Sequence, residues 1–215
     1  LRNAGWSPRR VIVDEFQDCD ALQVELLRAM ASPETKLFVV GDPNQVIYSW
    51  RGGGRDIFRR FAAEFGATEL SLPVNYRSSA TILEAAKFFL EDRSQLEGTR
   101  DPGAGIVVRN HYNPFLEAVS LAETVWRLHE TGAPWREIAV LFRLQRQSAA
   151  LEDAFARRGI PFAASARKSA KEALAAETAD ETDSPAPQEE TTEDAVRLMT
   201  LHACKGLEFR CVFII

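Results

Sequence analysis

Two adjacent carboxylates, Asp14 and Glu15, close the apolar run Val11-Ile12-Val13. Three apolar residues ending in charge read as a buried parallel strand with both acids at its carboxyl end. In open α/β sheets that end of the strand faces the ligand. A Mg²⁺ on phosphate oxygens needs hard carboxylate oxygens as ligands. A second carboxylate beside the first can orient a water for attack on a terminal phosphate. An acidic pair on a surface turn has the same composition, so the neighbouring residues decide between the two. Gln17 and Asp18 follow directly, and Asp18 also suits the N-terminal cap of the next helix.

Three further segments carry side chains suited to chemistry. Leu37-Phe38-Val39-Val40 runs into Gly41-Asp42-Pro43-Asn44-Gln45, then into Val46-Ile47-Tyr48-Ser49-Trp50-Arg51-Gly52-Gly53. Next comes Leu72-Pro73-Val74-Asn75-Tyr76-Arg77-Ser78-Ser79. The last is Leu198-Met199-Thr200-Leu201-His202-Ala203-Cys204-Lys205-Gly206-Leu207-Glu208-Phe209. In this order the four segments closely resemble motifs II, III, IV and V of superfamily 1 DNA helicases of the UvrD/Rep/PcrA type. The resemblance covers residues 10–90 and 137–215.

The resemblance implies an α/β fold of two RecA-like parallel-sheet lobes and the use of ATP with Mg²⁺. It implies 3′-to-5′ movement along single-stranded DNA, with duplex junctions as further partners, in replication, repair or recombination. It gives Asp14 the Mg²⁺ and Glu15 the water. It gives Gln45 the γ-phosphate and attacking water, Tyr76 the adenine ring, and Arg77 the γ-phosphate. A guanidinium there stabilises the charge spread over the transferring phosphoryl group. Gly206 and Glu208 fall to ATP, Glu208 at the ribose hydroxyl, with Gly206 permitting close backbone approach. Thr200 and His202 fall to DNA phosphate. It has Gln17 and Asp18 link the nucleotide and DNA sites. Read from the residues themselves, Lys205 faces DNA or ligand, and Asp42 bonds backbone in its turn, an ordinary structural role. Tyr48 and Trp50 alternate and share a face if extended. Base stacking, at ~1–3 kcal/mol per base, suits them for any DNA sequence; two core aromatics are the other reading.

Composition bounds the rest. The chain has 215 residues and a net charge of −5, but nine acids and no Lys or Arg lie between Glu172 and Asp194. Without those nine the remainder carries +4, a mildly basic body able to meet phosphates. Cys19, Cys204 and Cys211 lack zinc-ligand spacing and read as free thiols of a reducing cytoplasm. No run approaches the length of a membrane span. A Gly-x-x-x-x-Gly-Lys-Ser/Thr loop occurs nowhere. The start at Leu1 and the end inside Cys211-Val212-Phe213-Ile214-Ile215 therefore suggest a fragment, inactive alone, with the first lobe's P-loop strand missing. Two rivals remain: the helicase part of a RecB/AddA-like nuclease complex, and a non-catalytic DNA-binding or interaction module. Intact Asp14, Glu15, Gln45, Arg77 and Glu208 argue against the latter.

Periodicity supplies the supporting elements. A helix is expected over 20–30 with Leu22, Leu26, Leu27 and Met30 on its inner face. A strand over 36–41, a helix over 55–65 with Ile57, Phe58, Phe61 and Phe65 inward, and a strand over 69–72 complete the first lobe at 1–72. The second lobe, 73–164, should hold a helix from Ser78 or Ser79 to Leu90 and a strand at 106–108. A helix from Asn113-Pro114 to Thr131, a strand at 138–142 and a helix at 148–158 follow. Residues 165–195, without a large apolar side chain after Leu174, read as a disordered acidic linker with a helical start at 166–176. The linker stands where the resembled family carries an inserted subdomain. Strands at 196–201 and 211–215 continue the second lobe to 215.

Overall fold

A computed structural model describes residues 8–49, 54, 56–90, 96–164 and 194–215. Trp50 to Gly53, and the expected linker through residue 193 with its helical start, lie outside the described residues. The chain divides into two compact units, Leu1–Val107 and Val108–Ile215. Both are mixed α/β with small parallel sheets.

In the first unit, β1 (Arg10–Val13) pairs in parallel with β2 (Lys36–Val39), Val13 opposite Val39. Between them runs α1 (Ala21–Met30), started by a capping box in which the Asp20 carboxylate accepts from Gln23 N. The cap is therefore Asp20, not Asp18, because Asp18 is taken up in a 3-10 turn over Phe16–Asp18. After β2, α2 (Ile57–Phe65) stops at Gly66, whose φ of 61° lies in the left-handed region. Phe16, Leu27, Ile57 and Phe61 form the core, with Val11, Val13, Val24, Leu37, Val39, Phe58 and Phe65 against it. Phe16 meets Phe58 and Phe61 edge-on.

Several expectations need correction here. Among the described residues β1 is not buried on both faces: Ile12 is 73% exposed, as side chains alternate and Val11 and Val13 take the face that packs on the core. On α1, Leu22 and Leu26 point to solvent, and Val24 and Leu27 pack inward. Residues 69–72 form no strand. The pairing comes two residues later, where β3 (Val74–Asn75) lies parallel to β4 (Glu97–Gly98), a strand the sequence did not suggest. α3 (Ala80–Lys87) ends before Leu90. Its first amides are met by the 101–102 loop, Ala80 N on Asp101 O and Thr81 N on Pro102 O; Ser79 supplies no side-chain cap. Residues 106–108 are exposed and unpaired in any sheet, so apolar β-branched composition without a partner strand makes no strand.

The second unit matches its periodicity. α4 (Pro114–Glu130) begins with Asn113 accepting from Leu116 N and with Pro114 in the first turn. β5 (Ile138–Phe142) is buried along its whole length. α5 (Ser148–Arg158) ends at Gly159, and β6 (Phe162–Ala164), β7 (Val196–Thr200) and β8 (Cys211–Ile214) follow. The sheet order is β6-β7-β5-β8, all parallel. On one face α4 and α5 contribute Leu121, Val125, Leu151 and Phe155 against Val140, Phe142, Val196 and Leu198. On the other, Ala139, Leu141 and Met199 carry Leu201, Ala203, Cys204 and Phe209. Cover on both faces is why β5 reads as an unbroken apolar run. Asp194 and Ala195, at the end of the expected linker, belong to this body. Ala195 is buried, and Asp194 Oδ1 accepts from Arg136 N at 2.9 Å.

Candidate functional site

Parallel pairing of β1 with β2 brings their carboxyl ends together. The ladder extends past both strands, with Val40 N on Val13 O at 2.9 Å and Phe16 N on Val40 O at 3.0 Å. Residues 14–18 therefore stand beside residues 41–45, the two segments singled out first in the sequence.

Asp14 is exposed and its Oδ1 accepts from Glu15 N at 2.8 Å. Glu15 has φ 51°, the single non-glycine residue in the left-handed region among those described. Such a backbone costs of order 1–3 kcal/mol and persists where its surroundings hold it. Gln17 is fully buried at 0% exposure. Its Nε2 donates to Glu15 Oε2, and its Oε1 accepts from Asp42 N at 3.1 Å. Asp42 Oδ1 accepts from Asn44 N at 2.8 Å, and Oδ2 accepts from Gln45 Nε2 at 2.9 Å. One hydrogen-bonded chain thus joins Glu15, Gln17, Asp42 and Gln45. Gly41 makes room for it: a Cβ there would lie 2.0 Å from Gln17 Oε1 and 3.0 Å from Phe16 N. Close approach is the reason for this glycine.

The other expected residues fall as follows. Tyr48 is only 8% exposed, so its ring packs in the unit and offers no free face to a base. Trp50 lies outside the described residues. Tyr76 is 71% exposed directly after β3. Asn75, which the sequence reading passed over, fixes that turn: its Oδ1 accepts from Arg77 N at 3.0 Å and Ser78 N at 2.8 Å. Asn side chains are apt for such local bonds. Arg100 Nη1 donates to Arg77 O at 2.6 Å.

In the second unit Thr200 ends β7, opposite Phe142 of β5. Its Oγ1 accepts from Ala203 N at 3.2 Å. Cys204 N on Thr200 O at 3.1 Å and Leu207 N on Cys204 O at 3.0 Å wind residues 201–207 into turns, with Gly206 at φ 83°. His202 is half-buried there, and Glu208 is exposed. Cys204 is half-buried with its thiol on Leu201 O, and burial pushes its pKa up. All three cysteines are free. His129, without a motif, stacks on Trp135 with ring centroids 3.7 Å apart, a packing role.

Known proteins match this chain in sequence. Residues 7–66 match the family described as UvrD/REP helicase N-terminal domain, and residues 70–175 match the UvrD-like helicase C-terminal domain. The chain belongs to the UvrD-like helicase family. DNA helicase II of Escherichia coli is 32% identical over 158 residues, covering 71% of this chain and 22% of that protein. DNA helicase II of Haemophilus influenzae is 31% identical over 159 residues, 72% of this chain and 22% of the relative. A probable DNA helicase of Mycoplasma pneumoniae is 30% identical over 218 residues, covering 95% of this chain and 35% of that protein. The chain therefore spans between about a fifth and a third of the length of these relatives.

Proposed function

We propose that this chain is part of an ATP-dependent DNA helicase or translocase that moves 3′ to 5′ along single-stranded DNA and acts at duplex junctions. The observation that carries the reading is the chain Glu15–Gln17–Asp42–Gln45 at the carboxyl ends of two paired parallel strands. That is where α/β sheets bind ligands.

Asp14 supplies an exposed hard-oxygen carboxylate. No cluster of three or more His, Cys, Asp or Glu side chains suited to a metal occurs among the described residues. The donor set fits Mg²⁺, which takes one or two carboxylates and fills its shell with water and phosphate oxygens. When bound, the ion with ATP offsets charge on the phosphates. Glu15 then receives a proton from the attacking water, with Oε2 held by the Gln17 amide. Gln45, tethered through Nε2 to Asp42, offers its amide oxygen to that water. Tyr76 stacks on adenine, and Arg77 meets charge developing on the γ-phosphate. Gly206 and Glu208 serve the nucleotide. Trp50 stacks on a DNA base, and Thr200 and His202 take DNA phosphates. Tyr48 supports that segment from inside instead of stacking.

Among the described residues no helix is long and apolar enough to cross a membrane, and a DNA motor with free thiols suits the cytoplasm. The test uses the full-length protein. Glu15→Gln should cut DNA-stimulated ATP turnover ~10²–10⁴-fold with nucleotide binding kept. The wild type should displace a strand from duplex with a 3′ single-stranded tail and not a 5′ tail. Turnover untouched by Glu15→Gln overturns the catalytic reading, and displacement from the 5′ tail alone overturns the direction.

A further inference from the structure

We propose that Gln17 is a positioning residue, a buried amide that clamps the water-activating carboxylate Glu15 to the turn carrying Gln45. The inference rests on the hydrolytic reading above. Gln17 and Ser148 are the buried polar residues among those described, and Gln17 is fully enclosed. A buried amide is costly unless its groups are met, and both ends of this one are. Nε2 donates to Glu15 Oε2, and Oε1 accepts from the peptide N–H of Asp42 at 3.1 Å. The amide therefore spans two strand ends that are far apart in sequence.

Two features around it point the same way. Glu15 sits at φ 51°, a backbone that an L residue leaves unless held. Asp18 N on Glu15 O at 3.0 Å closes the turn below it, and the Gln17 amide holds the side chain above. Gly41 leaves an opening that Gln17 Oε1 fills, with 2.0 Å to the place a Cβ would occupy. Asp42 in turn grips Gln45 Nε2. A carboxylate and an amide that must meet one water are in this way fixed to a common part. A displacement of about 1 Å in such a pair costs up to ~10²-fold in rate.

A side chain acting through Glu15 differs from a core filler in its coupling. In the full-length protein, Gln17→Met keeps length and apolar volume and removes both hydrogen bonds. Gln17→Glu keeps an acceptor for Asp42 N and loses the donor to Glu15. Both should lower kcat for ATP about 10- to 100-fold with KM for ATP and DNA affinity within twofold. In single-turnover phosphate release, Gln17→Met in a Glu15→Gln background should cost far less than it does in the wild type, since Glu15 is gone and only the Gln45 turn is left to hold. Losses that multiply in the double variant overturn the inference, as does wild-type kcat in both single variants. Turnover that survives Glu15→Gln alone is a separate outcome: it overturns the hydrolytic reading, and this inference with it.

Discussion

Replacing Gly41 by Ala tests the packing on which the site depends. The added methyl would lie 2.0 Å from Gln17 Oε1, 3.0 Å from Phe16 N and 3.1 Å from Phe58 Cζ. The Phe58 ring can yield a few tenths of an ångström. Phe16 N is backbone, fixed by its bond to Val40 O at 3.0 Å. The Gln17 amide must then leave, and it loses Glu15 and the Asp42 peptide together. The bond to the Asp42 peptide contributes ~0.5–1.5 kcal/mol and the bond to the charged Glu15 ~1.5–3 kcal/mol, so the local penalty is about 2–5 kcal/mol. Native-state hydrogen exchange at the Phe16 amide reads that penalty where it acts. At a tenfold change per 1.4 kcal/mol, exchange should accelerate roughly 30- to 3,000-fold. Gln17→Ala should accelerate it too, by loss of the same bonds. The double variant should fall short of the product of the two, because the new methyl occupies space the amide has left. Exchange within twofold of wild type for Gly41→Ala refutes the close approach. Fully multiplicative effects refute the claim that the methyl acts through Gln17.

Further outcomes follow from other parts of the chain. In the full-length protein Arg77→Ala should lower kcat for ATP with nucleotide affinity nearly kept, and Tyr76→Ala should mainly raise KM through lost adenine stacking; steady-state kinetics of the pair checks both, and equal effects on both constants assign the two residues to the fold. Trp50→Ala should weaken single-stranded DNA binding by ~1–3 kcal/mol in a fluorescence titration with its melting temperature kept; a steep loss of melting temperature makes the indole a core residue instead. Phe155→Ala, fully buried between α5 and the sheet, should destabilise the second unit by ~3–5 kcal/mol in urea unfolding, and a loss under 1 kcal/mol refutes the packing described.

Much of the candidate site was legible because its chemistry is local. Asp14-Glu15 after three apolar residues and Gly41-Asp42 after four mark two strand ends by composition alone. β5, α4 and α5 were equally plain, since their apolar spacing and caps lie within a few residues of one another. The same locality misled at 69–72 and 106–108. Alternating Leu70 and Leu72, and the β-branched run Ile106-Val107-Val108, suggest strands, and a strand exists only where a partner supplies its hydrogen bonds. On α1 the helix was correctly read but its inner face was not, because which side is covered depends on where α2 lies.

What the sequence alone determined about this protein is its set of chemical groups, their order and the elements that present them. The tertiary structure alone decided which groups meet. By resemblance Gln17 links the nucleotide and DNA sites, but nothing in the sequence names its partners; only the parallel register of β1 on β2 places Asp42 N within 3.1 Å of its amide oxygen. Tyr48 alternates with Trp50 as a surface stacker would, yet packing of the unit buries its ring. The sheet order β6-β7-β5-β8 brings Thr200 opposite Phe142 across a separation that no periodicity spans. Spacing along the chain reports torsional preference and amphipathic faces, which act over a few residues. Contacts between distant segments depend on the free energy of the whole packed unit, and that is settled only once the chain has folded.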